Sequence, residues 1–172
     1  MRTFLTALLC SFALLAADAP RPAQRFLLPD VQGHDHDSYE YKGKAMVLEF
    51  MQTGCVHCAA FSNVLKQVQA RYGPQIHIVA LVNPPDTPAN VSKFTAEHQI
   101  NYPILLDAGR VAYAYIGKPA FDLPYIFLID ARGQIREQFE YGLATHEIFE
   151  GNALFPHIEA LLGASFGGAG KK

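Results

Sequence analysis

The stretch AMVLEFMQTGCVHC, residues 45–58, decides the fold that this sequence predicts. Its first half is an almost unbroken apolar run, which is typical of a strand buried on both faces. Beyond it, apolar residues recur at helical spacing along one face, and they are Phe61, Val64, Leu65, Val68 and Tyr72. We therefore predict a strand over 45–51, a helix over 57–72, and a loop between them that holds the first cysteine.

The two cysteines of this stretch, Cys55 and Cys58, lie where the predicted helix begins. Unpaired backbone N–H groups and the helix dipole favour a thiolate over a thiol at such a position. Two cysteines at this spacing can also form a disulfide with each other, so we interpret them as a redox-active dithiol. A structural zinc site would need a second Cys or His pair, and histidines such as His77 and His98 are scattered singly. A metal site and an inert pair are the alternatives.

Residues 1–19 have the pattern of a secretory signal peptide. A basic start at Arg2 is followed by a short apolar stretch and by small residues, with cleavage expected after Ala17 or Ala19. An acylated Cys10 and an uncleaved membrane anchor are the alternatives.

Removal of this segment would leave Cys55 and Cys58 as the only cysteines, in a compartment where disulfides persist. A disulfide across so small a loop removes little entropy from the unfolded chain, so we expect the pair to serve chemistry rather than stabilisation. The length of 172 residues and the formal net charge of −2 predict one domain and give no indication of nucleic-acid binding.

The rest of the chain alternates between strand and helix patterns. We predict strands over 76–82, 104–106, 125–130 and 134–141, and helices over 91–98, 109–117 and 145–162, the last interrupted at Gly151 and Pro156. We interpret residues 20–24 as a linker, 25–162 as the domain and 163–172 as a flexible Gly-rich tail. This order predicts an α/β sandwich around a mixed central sheet.

Four segments together carry a more specific pattern than the cysteine pair alone. They are residues 26–30 (FLLPD), 41–44 (YKGK), the strand that leads into CVHC, and 123–130 (LPYIFLID). Through them the chain, from about Arg25 to Leu162, resembles the thioredoxin-like superfamily and its secreted TlpA/ResA-like thiol-disulfide oxidoreductases. The resemblance implies a thioredoxin-like three-layer α/β/α sandwich with a mixed central sheet and an N-terminal β extension. It also implies protein thiols and disulfides as partners, a membrane-bound electron donor or acceptor, and no cofactor beyond the disulfide of the pair.

The same resemblance implies roles for residues at the dithiol. Cys55 would attack a partner, and Cys58 would then resolve the mixed disulfide. Pro124 matches a cis-proline that packs against the dithiol, and the alternative is an ordinary trans proline at an edge strand. Leu123 would present its backbone to the partner chain in a short strand-like pairing.

Further residues would tune this chemistry. Glu49 matches a buried acid that moves the proton of the resolving cysteine. Burial should raise the pKa of Glu49. The alternative is an exposed carboxylate or one paired with Lys44. His57 would stabilise the thiolate and make the disulfide more oxidising, or else be exposed without effect. Thr53 and Gly54 lie where the family usually has a Trp before the first cysteine, and we place them among the substrate contacts.

The expected function is a secreted, periplasmic thiol-disulfide oxidoreductase, with reduction favoured by the resemblance and oxidation by His57. A peroxiredoxin-type peroxidase usually has Pro and Thr or Ser before its cysteine, where this chain has Leu48 and Gln52. A copper-binding module could use the thiolate pair, although related copper chaperones usually have a wider cysteine spacing. Residues 34–37, HDHD, could bind a divalent ion weakly, but we interpret them as a solvated turn.

Overall fold

The computed structural model describes residues 20–166 and the side chains of residues 20–163, so the predicted signal peptide lies outside the described residues. The strands are β1 (Arg21–Pro22), β2 (Leu27–Pro29), β3 (Asp35–Asp37), β4 (Ala45–Met51), β5 (Ile76–Val82), β6 (Ile104–Leu106), β7 (Tyr125–Ile129) and β8 (Gln134–Glu140). The helices are α1 (Val56–Tyr72), α2 (Pro88–Glu97), α3 (Arg110–Ile116), α4 (His146–Glu150) and α5 (Leu154–Phe166), with a 3-10 turn over Ser38–Tyr41. The predicted strands and helices of the core are therefore present.

Six strands form one mixed sheet in the order β1-β8-β7-β4-β5-β6, and β2 pairs with β3 in a separate N-terminal sheet. Strands β4, β5 and β6 are parallel, whereas β7 and β8 run antiparallel to their neighbours. Helices α1, α2, α4 and α5 pack on one face of the main sheet, and α3 packs on the other together with Phe26. The predicted three-layer sandwich with a mixed central sheet is confirmed.

Strand β4 lies between β5 and β7 because both of its faces are apolar. All seven of its residues are buried. Val47 and Met51 face the side of α1, and Leu48 and Phe50 face the side of α3. Glu49 alternates with Leu48 and Phe50, so its carboxyl group lies in the layer between the sheet and α1. The strand therefore carries one acid into the core directly before the dithiol.

Strand β1 corrects the prediction of a linker over residues 20–24. Arg21 and Pro22 pair antiparallel with the start of β8. The guanidinium of Arg21 also donates a hydrogen bond of 2.8 Å to the backbone carbonyl of Tyr115. A strand of two residues has no recognisable period, so its pairing depends on contacts that the local sequence does not contain.

The C-terminal helical segment is interrupted at Gly151, as predicted, but not at Pro156. Pro156 lies in the first turn of α5, where its missing N–H has no intrahelical acceptor to lose. Because α5 runs to Phe166, the prediction of a flexible tail is wrong for residues 163–166. The remainder of that predicted tail lies outside the described residues.

Most of the HDHD segment is strand β3, where the sequence predicted a solvated turn. The strand pairs with β2, and the His36 ring lies 3.0 Å from Tyr41 Oη and 3.1 Å from Asp30 Oδ2. Among the described residues, no group of three or more His, Cys, Asp or Glu side chains could hold a metal ion. Within the same part of the chain, no helix has the length and apolar character needed to span a bilayer.

Candidate active site

Cys55 is the N-cap residue of α1, as the sequence predicted. Its backbone is extended, and its Sγ accepts a hydrogen bond from the Cys58 N–H at 3.1 Å. The first N–H groups of a helix have no intrahelical acceptor, so a negatively charged sulfur at this position is stabilised. Cys55 is partly exposed, Cys58 is fully buried, and both are free thiols. A partner molecule can therefore reach the first cysteine directly but not the second.

The pKa values of the two thiols are shifted in opposite directions from the ordinary value of cysteine. A hydrogen bond from the Cys58 thiol lowers the pKa of Cys55 to about 6 despite partial burial, and the backbone N–H groups of Cys58 and His57 and the His57 charge add to this effect. The same hydrogen bond raises the pKa of Cys58, and burial and the Glu49 charge raise it further. At neutral pH, Cys55 is therefore mainly a thiolate and Cys58 a thiol. The pair combines an accessible nucleophile with a protected second thiol.

The Leu123–Pro124 peptide bond is cis, which confirms the prediction for Pro124. The loop lies against the dithiol, because the Cys55 Sγ is 3.7 Å from the Leu123 carbonyl oxygen and donates to it as a thiol. Strand β7 begins at the next residue, Tyr125, and pairs antiparallel with β4. This pairing brings the loop to the carboxyl end of β4, where the chain turns toward the first cysteine.

Glu49 is fully buried, on the α1 side of β4. Among the described residues, neither of its carboxylate oxygens has a hydrogen-bond partner, and neither has the hydroxyl of Tyr102. Burial raises the pKa of Glu49 well above its usual value, and the charge of Cys55 raises it further. Burial and the charges of Glu49 and Cys58 raise the pKa of Tyr102. The alternatives of an exposed or Lys44-paired carboxylate are wrong, and the acid is a buried titratable group beside the dithiol.

The loop between β4 and the dithiol is held by Asp86, a residue that the sequence analysis missed. The Thr53 N–H donates to Asp86 Oδ2 at 2.7 Å, and the Thr53 hydroxyl donates to Oδ1 of the same carboxylate. The Gln52 side chain donates to the Pro84 carbonyl at 2.8 Å, in a loop that contains a cis bond between Pro84 and Pro85. Thr53 therefore anchors the loop, and its contact with substrate stays a prediction.

Gly54 leaves open space in front of the dithiol. A Cβ atom built at Gly54 meets no non-neighbouring atom of the described residues within 4 Å. The apolar Val56, which lies between the two cysteines in the sequence, is 74% exposed. A groove of about 580 Å³ opens beside Leu123, and its lining includes Pro84 and Phe121. The first cysteine thus faces an open surface bordered by apolar side chains, while substrate contact by Gly54 stays a prediction.

His57 projects from the first turn of α1 and is half-exposed. Its ring stacks on Tyr141, and its charge is one of the causes that lower the pKa of Cys55. The tuning of the disulfide by His57 stays a prediction. Tyr141 and the nearby Glu150 were not among the predicted site residues.

Comparison with known proteins agrees with this geometry. The sequence profile of the AhpC/TSA family matches residues 20–138. The thiol-disulfide oxidoreductase ResA of Geobacillus kaustophilus is 32% identical over 140 residues, which cover 81% of this chain and 75% of that protein. ResA of Bacillus thuringiensis is 28% identical over 132 residues, covering 76% and 74%. A Chlorobium tepidum structure described as a thiol:disulfide interchange protein DsbE has a TM-score of 0.72 and 27% identity, covering 85% of this chain and 99% of that one.

The fold and the dithiol define a thioredoxin-like thiol-disulfide oxidoreductase. The chain belongs to the AhpC/TSA family, and the curated relatives described above are ResA proteins. The family resemblance predicted from the sequence is therefore confirmed.

Proposed function

We propose that this oxidoreductase acts outside the cytoplasm as a reductant of protein disulfides, through the dithiol of Cys55 and Cys58. The asymmetry of the two thiols carries the proposal. The pKa of the partly exposed Cys55 is lowered to about 6, whereas that of the buried Cys58 is raised. A reductant of this kind needs one thiolate that a partner can reach and a second thiol that is protected until the first has reacted. The cysteine pair carries the electrons itself, without a further cofactor.

The first step is the attack of the Cys55 thiolate on a partner disulfide. A bond forms between the Cys55 Sγ and one partner sulfur, the partner S–S bond breaks, and the other partner sulfur leaves as a thiolate. The product is a mixed disulfide, and the negative charge has moved from Cys55 to the partner. The loss of charge at Cys55 prepares the second step.

The second step requires removal of the Cys58 proton. The charge of Cys55 raises the pKa of Glu49, and the hydrogen bond with Cys55 is the largest cause of the raised pKa of Cys58. Both effects end once Cys55 is in the mixed disulfide, so both groups release protons more readily. An ionised Glu49 then accepts the Cys58 proton, Cys58 attacks the Cys55 Sγ, and the remaining partner sulfur leaves as a thiolate. The enzyme keeps the disulfide, and the partner has gained the electron pair.

The acidity of Cys55 supports reduction over oxidation. The attacking thiol has a pKa of about 7 in thioredoxin, whose potential is about −270 mV, and of about 3.5 in DsbA, whose potential is about −120 mV. The pKa of about 6 at Cys55 lies nearer to that of the thioredoxin thiol than to that of DsbA, which favours a potential nearer to that of thioredoxin.

The surface around the first cysteine supports a partner in extended conformation. The Leu123 carbonyl lies beside the Cys55 Sγ, and an extended chain that pairs with this loop would bring its own cysteine to the same place. Val56 is exposed directly after Cys55, and the groove beside Leu123 offers further apolar contacts. Backbone pairing of this kind accepts many sequences, which suits an enzyme that acts on several proteins.

The N-terminal sequence supports the extracytoplasmic part of the proposal. Residues 1–19 have the pattern of a secretory signal peptide, and disulfides persist in the compartment to which such a segment leads. Each turnover there oxidises the dithiol, so the enzyme needs a source of electrons. We propose a membrane protein that carries electrons across the inner membrane as this donor, and the periplasm as the location.

A measurement of the reduction potential tests the direction of electron flow. The purified full chain is equilibrated in glutathione and dithiothreitol redox buffers, and its free thiols are trapped and counted. We expect a potential of roughly −230 mV or lower. A value between roughly −180 and −120 mV would refute the role as a reductant, since this is the range of isomerases and oxidases.

Partner capture tests the substrate class. The Cys58→Ser variant stops after the first step and should accumulate mixed disulfides between Cys55 and partner proteins. The matched Cys55→Ser variant lacks the attacking thiol and should accumulate none. Mass spectrometry of proteins released by dithiothreitol should identify extracytoplasmic proteins with cysteine pairs, and an equal yield from both variants would contradict the assigned order of attack.

A further inference from the structure

A cluster of three side chains, from His57, Tyr141 and Glu150, lies beside the dithiol. The rings of His57 and Tyr141 are stacked, with centroids 4.1 Å apart and planes inclined by 24°. The Tyr141 hydroxyl donates to Glu150 Oε1 at 3.2 Å, and the same Oε1 lies 4.0 Å from His57 Nδ1. Each member therefore contacts the other two. Neither Tyr141 nor Glu150 takes part in the sulfur chemistry described above.

Elements far apart in the chain place the partners of the histidine. Tyr141 follows β8, and its N–H donates to the Pro124 carbonyl at 3.1 Å, which fixes it to the cis-proline loop. Glu150 is the last residue of α4. The preceding Phe149 is buried and packs edge-on against Phe61 of α1, with centroids 5.1 Å apart. Backbone and core contacts thus hold both partners in place independently of the cluster itself.

We propose that Tyr141 and Glu150 are positioning residues that hold the His57 imidazole beside Cys55, and so stabilise the Cys55 thiolate. The inference rests on the proposed function, because it concerns the same dithiol. Burial and the hydrogen bond to Glu150 raise the pKa of Tyr141, so its hydroxyl stays a donor at neutral pH. The tyrosine supplies a flat surface for the ring, and the glutamate supplies a negative charge.

The two residues act by fixing the orientation of the half-exposed His57 side chain. Stacking on Tyr141 restricts the rotamers of an imidazole that would otherwise move freely, and the contact with the Glu150 carboxylate holds the ring in the same place. The hydrogen bond from the Cys58 thiol is the largest cause that lowers the pKa of Cys55, backbone N–H groups add to it, and the His57 charge makes a smaller contribution in the same direction. Among the described residues, the Glu49 carboxyl of β4 interacts with this sulfur, because the Cys55 charge raises its pKa after the larger effect of burial. The Glu150 carboxylate of α4 lies beside His57, and its negative charge acts directly against a thiolate. The direct and the His57-mediated effects of Glu150 therefore have opposite signs.

These opposite signs make a mutant cycle decisive. The ultraviolet absorbance of the thiolate, followed against pH in the reduced full chain, gives the midpoint of Cys55 ionisation. Tyr141→Ala and Glu150→Gln are each made alone and together with His57→Ala. Alone, each should raise the midpoint by roughly 0.3 to 0.7 pH units. With His57→Ala, Tyr141→Ala should have no effect and Glu150→Gln should lower the midpoint. Glu147→Gln, an exposed acid on the same helix, is the matched control and should leave it unchanged.

An equal rise of the midpoint with and without His57 would overturn the proposal, and so would an unchanged midpoint in the two single variants. Tyr141→Phe keeps the stacked ring, so it provides a test even if Tyr141→Ala does not fold. It should raise the midpoint of Cys55 ionisation less than Tyr141→Ala does. A larger rise with phenylalanine would overturn the role of stacking. Failure of the proposed function is distinguishable, because the unmutated protein would then not reduce disulfides at all, whatever the variants do to the midpoint.

Discussion

Replacement of Glu49 by glutamine should change how the stability of this protein depends on pH. Glu49 is fully buried, and its carboxylate oxygens have no hydrogen-bond partner among the described residues. Burial, and then the charge of Cys55, raise its pKa well above the usual value of 4.5. Glutamine has nearly the same size but does not titrate. A comparison of the two proteins therefore isolates the proton on the Glu49 carboxyl.

The sign and the size follow from proton linkage. Between pH 4.5 and the raised native pKa of Glu49, the native protein keeps a proton that the unfolded chain releases. The unfolded state then binds fewer protons, so the free energy of unfolding falls as the pH rises, by about 1.4 kcal/mol per pH unit. This contribution is fully present below pH 4.5 and is lost as the pH rises through the raised pKa. The Glu49→Gln variant lacks it at every pH.

Urea unfolding of the reduced proteins at about pH 5, 6 and 7 measures the effect. The free energy of unfolding of the wild type, minus that of the variant, should fall as the pH rises, by up to about 1.4 kcal/mol for each pH unit over which the native carboxyl stays protonated. Subtraction removes only the part of the Cys55 contribution that does not depend on Glu49, because the two groups interact. The exposed Glu97→Gln is the matched control and should show no such slope. A constant difference between wild type and Glu49→Gln would refute the argument that the buried carboxyl holds a proton.

Three further predictions concern the dithiol and its support. The rate of alkylation of Cys55 by iodoacetamide should be half-maximal near pH 6 and should decrease at lower pH, while the buried Cys58 stays unmodified at neutral pH. Peptide mass spectrometry measures the labelling of each cysteine, and equal labelling of both would contradict this prediction. Asp86→Ala removes both hydrogen-bond acceptors of Thr53 and should lower the free energy of unfolding, measured by thermal unfolding, by about 1 to 3 kcal/mol. It should also slow disulfide reduction. An unchanged stability together with an unchanged rate would exclude the role of Asp86 in anchoring the loop. Phe61→Ala should cost about 3 to 5 kcal/mol in urea unfolding because Phe61 is fully buried, and a loss below about 1 kcal/mol would contradict this packing.

The parts of the site that the sequence predicts are those that depend on local patterns. The apolar run of β4 and the helical spacing after it are sufficient to place Cys55 at the start of a helix. The alternation along β4 likewise predicts which face carries Glu49. These residues interact with their near neighbours in the chain, so a short window contains the information.

The parts that the sequence analysis missed depend on contacts between distant segments. Asp86 binds the Thr53 loop from beyond β5, and Tyr141 reaches His57 from the end of β8. An aspartate in a proline-rich loop and a tyrosine at a strand end have many ordinary explanations, so nothing local marks them. The same limit applies to β1, which is a strand only because β8 lies beside it.

The way β1 meets β8 also bears on aggregation. β1 covers only the first two residues of the seven-residue β8, and its Pro22 cannot donate a backbone hydrogen bond to extend the pairing. The outer side of the rest of β8 lacks a neighbouring strand among the described residues, and its side chains include Arg136, Glu137 and Glu140. Charged side chains on an open strand disfavour the addition of another chain. The open part of this sheet edge is thereby protected from pairing with other chains, although it belongs to the same sheet whose β7 follows the Leu123 loop beside the reactive sulfur.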